Sequence, residues 1–182
     1  MAAVAESDGV LAFWQQAGRE RWFKADPAFD ALIRERFLAT HEAAARGQFL
    51  GWEETEKGAL ALVLALDQFP RNLFRGTARA FATDARAREV AGRAIERGLD
   101  REFQPPLQNF FYLPYMHSEN LADQERALAY MRAIGDTNGI KYAEIHLDVI
   151  RRFGRFPHRN ETLGRSSTAA ETAFLEAGGF RA

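Results

Sequence analysis

Ala59-Leu60-Ala61-Leu62-Val63-Leu64-Ala65-Leu66, followed at once by Asp67-Gln68-Phe69-Pro70, is the stretch on which the fold turns. Eight apolar residues in a row make either a strand buried on both faces or a helix buried all round, and periodicity does not separate the two. Composition does. Ala and Leu are helix formers, Val63 is the single β-branched residue of the run, and Glu53, Glu54, Glu56 and Lys57 ahead of it suit a solvated first turn or two. The spacing therefore predicts a helix from Trp52 to Gln68, the central and most buried one of the chain. The run is far short of the roughly 20 residues that cross a bilayer.

Working outward, helix punctuation recurs on both sides. Asp8 is a candidate N-cap ahead of Val10, Leu11, Phe13 and Trp14, with Gly18 as the stop. Asp26-Pro27 opens a helix that Phe29, Ile33 and Phe37 continue at i, i+4, i+8 to about Arg46, closed by Gly47. Downstream, Asp84 caps a helix of about Ala85 to Arg97, Pro105-Pro106 breaks the chain, and Phe110 to Leu113 fits a short helix. Ser118 is the expected N-cap of a helix from Glu119 to about Ile134. The next helix runs from Gly139 to Phe153, ended by Gly154, and Thr168-x-x-Glu171 is a capping box that opens a last one, closed by Gly178-Gly179. The punctuation amounts to about eight to ten helices and no hairpin-bounded strand, an all-α chain without a sheet.

Length and composition set the frame. The 182 residues fit a single helical domain over residues 1–182, and 47% hydrophobic residues with 12% aromatics are too many for disorder. Twenty-four basic against 25 acidic residues leave a net charge of -1, so no bulk field draws nucleic acid or an anionic membrane. The absence of cysteine excludes disulfides, thiolate nucleophiles and Cys-ligated zinc. Met1 to Val10 lacks the basic and apolar regions of a signal peptide, which makes the cytoplasm the expected compartment.

Polar residues gather in three strings. Asp67 to Gly76 echoes Gly154 to Arg165: each follows an apolar helix, and each has Phe-Pro, where proline stops the helix and restricts Phe69 or Phe156 to extended backbone. The strings Leu66-Asp67-Gln68-Phe69-Pro70-Arg71-Asn72 with Arg75-Gly76, Tyr112-Leu113-Pro114-Tyr115-Met116-His117-Ser118-Glu119, and Arg152-Phe153-Gly154-Arg155-Phe156-Pro157-His158-Arg159-Asn160 with Leu163-Gly164-Arg165 resemble the domain-of-unknown-function 924 family, a mainly bacterial group. The resemblance runs from the Trp14 helix to Phe174-Leu175. It implies an all-helical fold of antiparallel helix pairs, related to tetratricopeptide-like helical arrays. It implies no activity and no catalytic residues.

The residues themselves support several chemistries. Asp67 points to the core side of its helix, and a buried carboxylate must be paired; Arg71 and Arg75 are the nearest cations in sequence. That pair is either a strut or a tuned acid or base. His146 falls on an apolar helix face, as a core histidine or a pocket wall, and Gln124 lies beside Leu121, Leu128 and Met131. His158 stands among Arg151, Arg152, Arg155, Arg159 and Arg165, which favours a neutral imidazole. Those guanidiniums match phosphate or carboxylate oxygens in pairs, or else neutralise Asp67, Glu119, Asp123 and Asp148. The candidate ligand-binding set is Asp67, Gln68, Arg71, Asn72, Arg75, His117, Glu119, Gln124, His146, Arg155, His158, Arg159, Asn160 and Arg165, for a small anionic or polar ligand on which the protein acts or which it only holds.

Metal-ligand, phosphate-loop and dinucleotide spacings are absent, so no metal and no cofactor is expected, and no nucleophile elbow supports a serine triad. The alternative partner is a peptide or protein in a helical groove, anchored by Phe110, Phe111, Tyr115 and arginines.

Overall fold

A computed structural model describes residues 4–181; the first three residues of the stretch read for a signal peptide lie outside it. Among the described residues every regular element is helical, and none is a strand. The chain folds into two compact units, Met1–Pro114 and Tyr115–Ala182.

In the first unit the apolar run is the centre. Ala59 to Leu66 are each at most 1% exposed. The Ser7–Ala17 and Asp84–Glu96 helices pack on Glu56–Val63, and the Pro27–Ala45 helix packs on the turns that follow. Asp26 caps that helix through the N–H groups of Ala28 and Phe29, as Asp26-Pro27 predicts. The Ser7–Ala17 helix begins one residue before Asp8, with Glu6 at its N-cap. The central helix starts later than expected. Trp52 belongs to a 3-10 turn, Leu50–Glu54, and Thr55 is the cap, its hydroxyl accepting the Gly58 N–H at 3.1 Å. Only glycine fits at position 58, because a Cβ there would lie 2.2 Å from the Trp52 carbonyl oxygen.

Pro70 does not stop this helix. Glu56–Val63 passes into a π-helical turn, Leu64–Gln68, and then an α turn, Phe69–Leu73. Phe69 is helical (φ -58, ψ -41), where the residue before proline was expected to be extended. The reason lies in two donors from other helices. Proline supplies no N–H, which strands the carbonyls four and five residues before it. The Thr83 hydroxyl donates to Leu66 O at 2.6 Å, and His41 Nδ1 donates to Ala65 O at 2.8 Å. The chain can therefore stay helical through Pro70 with both carbonyls bonded.

In the second unit the Leu121–Ala133 and Thr137–Phe153 helices pack as a hairpin. Asn120, not Ser118, is the N-cap, accepting from Ala122 and Asp123; Ser118 instead donates to Asp123 at 2.7 Å. Asp136 caps the second helix and Gly154 (φ +68) ends it, two residues before Phe156-Pro157. Phe156 is extended (φ -88, ψ 107), as predicted for that copy of the motif. The same dipeptide thus interrupts nothing in one unit and opens a loop in the other. The capping box of Thr168 and Glu171 is present and starts the Ala169–Glu176 helix.

Candidate functional site

The first polar string divides its side chains between two ion-pair groups. Asp67 is fully buried and receives Gln68 Nε2 at 2.6 Å, with Arg71 Nη1 at 3.3 Å from its carboxylate. Arg71 also forks onto Asp84 at 2.9 and 3.1 Å and reaches the Asp67 carbonyl. Burial pushes the Arg71 guanidinium down, but the charges of Asp67 and Asp84 outweigh it and the net shift is upward. This is the buried strut. Arg75, the other expected partner of Asp67, turns to Asp30 instead, at 2.8 and 2.9 Å, and Asn72 donates to the same carboxylate at 2.8 Å. Burial raises the Asp30 carboxyl, but these donors prevail and hold it below its ordinary value. Asp30, Arg34, Glu35, Asn72 and Arg75 line an open cleft of about 480 Å³, its two cations matched by two anions.

The second and third strings meet within the second unit. Arg165 forks onto Glu119 at 2.7 and 2.9 Å, its Nε donates to Asn160 at 3.0 Å, and Glu119 also accepts the Phe156 N–H at 2.8 Å. Burial pushes the Glu119 carboxyl up; the hydrogen bonds from Arg165 and Phe156 take it below normal. Arg155 grips Glu171 at 2.6 and 2.8 Å, and Asn160 reaches the same carboxylate at 3.3 Å. That hydrogen-bonded guanidinium lowers the Glu171 carboxyl to about 2. Arg151 and Arg152 pair with Glu125 and Asp148. The pairs of Arg155 and Arg165 fasten loop 155–167 to Glu171 and Glu119, while those of Arg151 and Arg152 lie on the two helices of the hairpin.

The histidines are arranged differently. Gln124, fully buried, donates Nε2 to the carbonyls of Met116 (2.7 Å) and Ser118 (2.6 Å), and Arg159 Nη1 donates to the carbonyl between them, that of His117, at 3.0 Å. Three successive carbonyls are pinned, and the His117 ring lies 6.5 Å from His146. His146 donates Nδ1–H to Tyr142 O at 2.8 Å, so its Nε2 carries the lone pair. His158 rides on the 3-10 turn Pro157–Arg159. The rings of His146 and His158 each lie 5.6 Å from Phe156, and the Arg159 guanidinium covers that ring at 4.4 Å. Phe180 closes the group, 4.4 Å from His146 and 5.6 Å from His158.

Burial pushes the His146 imidazole down to about 3, and burial with the Arg159 charge takes His158 to about 4, so both are neutral at pH 7. Arg159, Arg165 and Arg181 all act on His158, opposed by Glu119. His158 Nδ1 is buried and has no hydrogen-bond partner. A neutral imidazole carries one N–H and one lone pair, so this atom can donate to an anion or accept from a donor. Among the described residues no three His, Asp or Glu side chains are arranged to hold a metal ion.

Phe180 and Glu171 are the members of this site that sequence reasoning did not put there. Glu171 was visible only as half of a capping box. For Phe180 the one signal was an aromatic residue placed directly after two glycines. The aromatics expected to anchor a partner, Phe110, Phe111 and Tyr115, are all buried.

Among the described residues every regular element is a helix, which makes this a protein of the all-α class. Within that class the chain belongs to a bacterial protein family of unknown function, DUF924, whose model matches residues 10–179. It is similar to a solved structure described as the protein of unknown function ATU0120 from Agrobacterium tumefaciens, with 46% identity over 94% of this chain and 97% of that one and a TM-score of 0.92. No protein of curated function matches. Among the described residues no helix is long and apolar enough to cross a membrane.

Proposed function

We propose that this protein binds a small anionic molecule in the cytoplasm, and that His117, His146, His158 and Arg159 form the place where it does so. One observation carries the reading: the imidazoles of His146 and His158, from two separate segments, converge on the Phe156 ring with His117 6.5 Å from His146, the charge of Arg159 acts on His158, and His158 has a buried ring nitrogen with no partner. A plain helical hairpin needs none of these groups. Arg155, Arg165, Glu119 and Asn160 serve as the frame that holds loop 155–167, and Gln124 is a positioning residue for His117. The tetratricopeptide-like arrangement belongs to this proposal as scaffold. A peptide-binding role has less support, since its aromatic anchors are buried.

The test is a titration of the full-length protein with inorganic phosphate and with citrate at pH 7, read by histidine side-chain NMR at constant ionic strength. His158 and His117 should shift saturably while His41, in the first unit, does not move. His158→Phe should abolish the His117 shift. Shifts no larger than those of an equal concentration of chloride would overturn the reading.

A further inference from the structure

The first polar string has no part in the histidine site, yet three of its residues, Asn72, Leu73 and Arg75, line the open cleft of about 480 Å³ in the first unit. The rest of the lining is a single face of the Pro27–Ala45 helix. Pro27, Asp30, Ala31, Arg34 and Glu35 fall at i, i+3, i+4, i+7 and i+8, whereas Phe29, Ile33 and Phe37 turn another face of the helix into the core. The cavity has the size of a small-molecule site.

Its polar groups are set before any ligand arrives. Asn72 is 7% exposed and donates Nδ2 to Asp30, which fixes the orientation of the amide; among the described residues no donor reaches its Oδ1. Arg75 forks onto the same carboxylate through Nε and Nη2, which leaves its Nη1 unengaged. The Arg34 guanidinium donates Nη2 to Leu73 O and lies 5.9 Å from the Phe74 ring, so it is tied to the wall of the cleft. Its charge helps to hold the Asp30 carboxyl low. Arg34 and Glu35 are both exposed, and among the described residues neither forms an ion pair.

Asp30 and Glu35 against Arg34 and Arg75 leave the lining neutral, so a ligand of one sign gains no net field there. A carboxylate answers Arg34, and an ammonium answers Glu35. Pro27, Ala31 and Leu73 supply the apolar part of the lining.

We propose that this cleft binds a small zwitterion, an ammonium and a carboxylate on a short apolar frame. The carboxylate pairs with Arg34 and the unengaged Nη1 of Arg75, and the ammonium with Glu35 and Asn72 Oδ1. Asp30 is a positioning residue, holding one side of Arg75 and of Asn72 and leaving the other side of each to the ligand. The cleft shares no residue with the histidine cluster and does not depend on the reading given to it.

The probes are leucine and γ-aminobutyrate, which carry their two charges close together and apart, with butanoate and butylammonium as compounds of one charge each. Each is titrated into the full-length protein at pH 7 and constant ionic strength and followed at the Asn72 side-chain amide by NMR. At least one zwitterion should shift that amide saturably and bind about ten-fold more tightly than butanoate or butylammonium. Glu35→Gln should remove that advantage without weakening butanoate, and Arg34→Gln should weaken both the zwitterion and butanoate. Glu35 is exposed and has no ion pair to lose, so its variant should melt as the wild type does; it carries the test if Arg34→Gln, which gives up the Leu73 contact, melts lower. Zwitterions that bind no more tightly than the compounds of one charge, or an affinity that Glu35→Gln leaves unchanged, overturn the proposal.

Discussion

Replacing Thr83 by valine tests the account of how the central helix passes Pro70. The hydroxyl gives Leu66 O its bond at 2.6 Å, in a segment with no access to water. Valine keeps the shape and leaves the carbonyl unpaired, which costs about 1–3 kcal/mol. At roughly 2–4 °C per kcal/mol for a chain of this size, the melting temperature should fall by about 2 to 12 °C. Pro70→Ala restores an N–H four residues after Leu66, so in that background the valine substitution should cost about 0.5 kcal/mol or less. The coupling energy of the cycle is then about 0.5 kcal/mol or more. Trp14, Trp22 and Trp52 all lie in the first unit, so urea unfolding followed by tryptophan fluorescence reports the affected core. A Thr83→Val cost that is the same, within about 0.3 kcal/mol, with and without Pro70 would refute the substitution of the hydroxyl for the missing N–H.

Two further outcomes are expected. Glu171→Ala removes a capping box and both bonds to Arg155, and should destabilise the second unit by about 2–4 kcal/mol, measured by circular dichroism melts. Unfolded, Glu171 titrates near 4.5 and folded near 2, so between those values the unfolded state takes up the proton; the wild-type advantage over Glu171→Gln should be full above pH 4.5 and vanish toward pH 2. A gap that is the same at pH 7 and pH 3 would show that the charge contributes nothing. For His146, with a folded value near 3 against an ordinary 6.5, protonation likewise favours the unfolded state, and stability is lost as pH falls from 6.5 toward 3. Urea midpoints at pH 7, 5 and 4 should fall less steeply in His146→Phe than in the wild type; parallel curves would count against a buried neutral imidazole.

What could be read in advance depended on how local the deciding interaction was. The helix over Ala59 to Leu66, the burial of Asp67 and its pairing with Arg71 four residues on all follow from short-range pattern, and the structure has them. The course of the chain through Pro70 does not, because the donors that permit it, His41 and Thr83, stand 24 and 17 residues from the carbonyls they serve. Arg75 shows the same limit: Asp67 is nearer in sequence, but Asp30, 45 residues away, is its partner. Ser118 and Asn120 are both good caps by type, and only the Asp123 acceptor at 2.7 Å, which takes the serine hydroxyl, decides between them. His146 was placed on the apolar face by helical period, yet nothing in the period connects it to Phe180, 34 residues on.

The density of arginine in the third string invites an anion site built on arginine, and the site proposed above lies instead at His158. Arg165 and Arg155 already hold carboxylates in forked pairs at 2.6 to 2.9 Å. An added anion would compete there with Glu119 or Glu171, each tethered at an effective concentration of the order of millimolar or more, and it would leave a half-buried carboxylate without its cation. That exchange gains little. At the proposed His158 site the balance is different, because the Nδ1 atom has no bond to give up and Arg159 is the largest charge acting on the ring, with Glu119 opposing it. In the proposed site the ion pairs therefore act through position. They hold loop 155–167, whose Phe156 ring lies 5.6 Å from both His146 and His158, with Phe180 5.6 Å from His158.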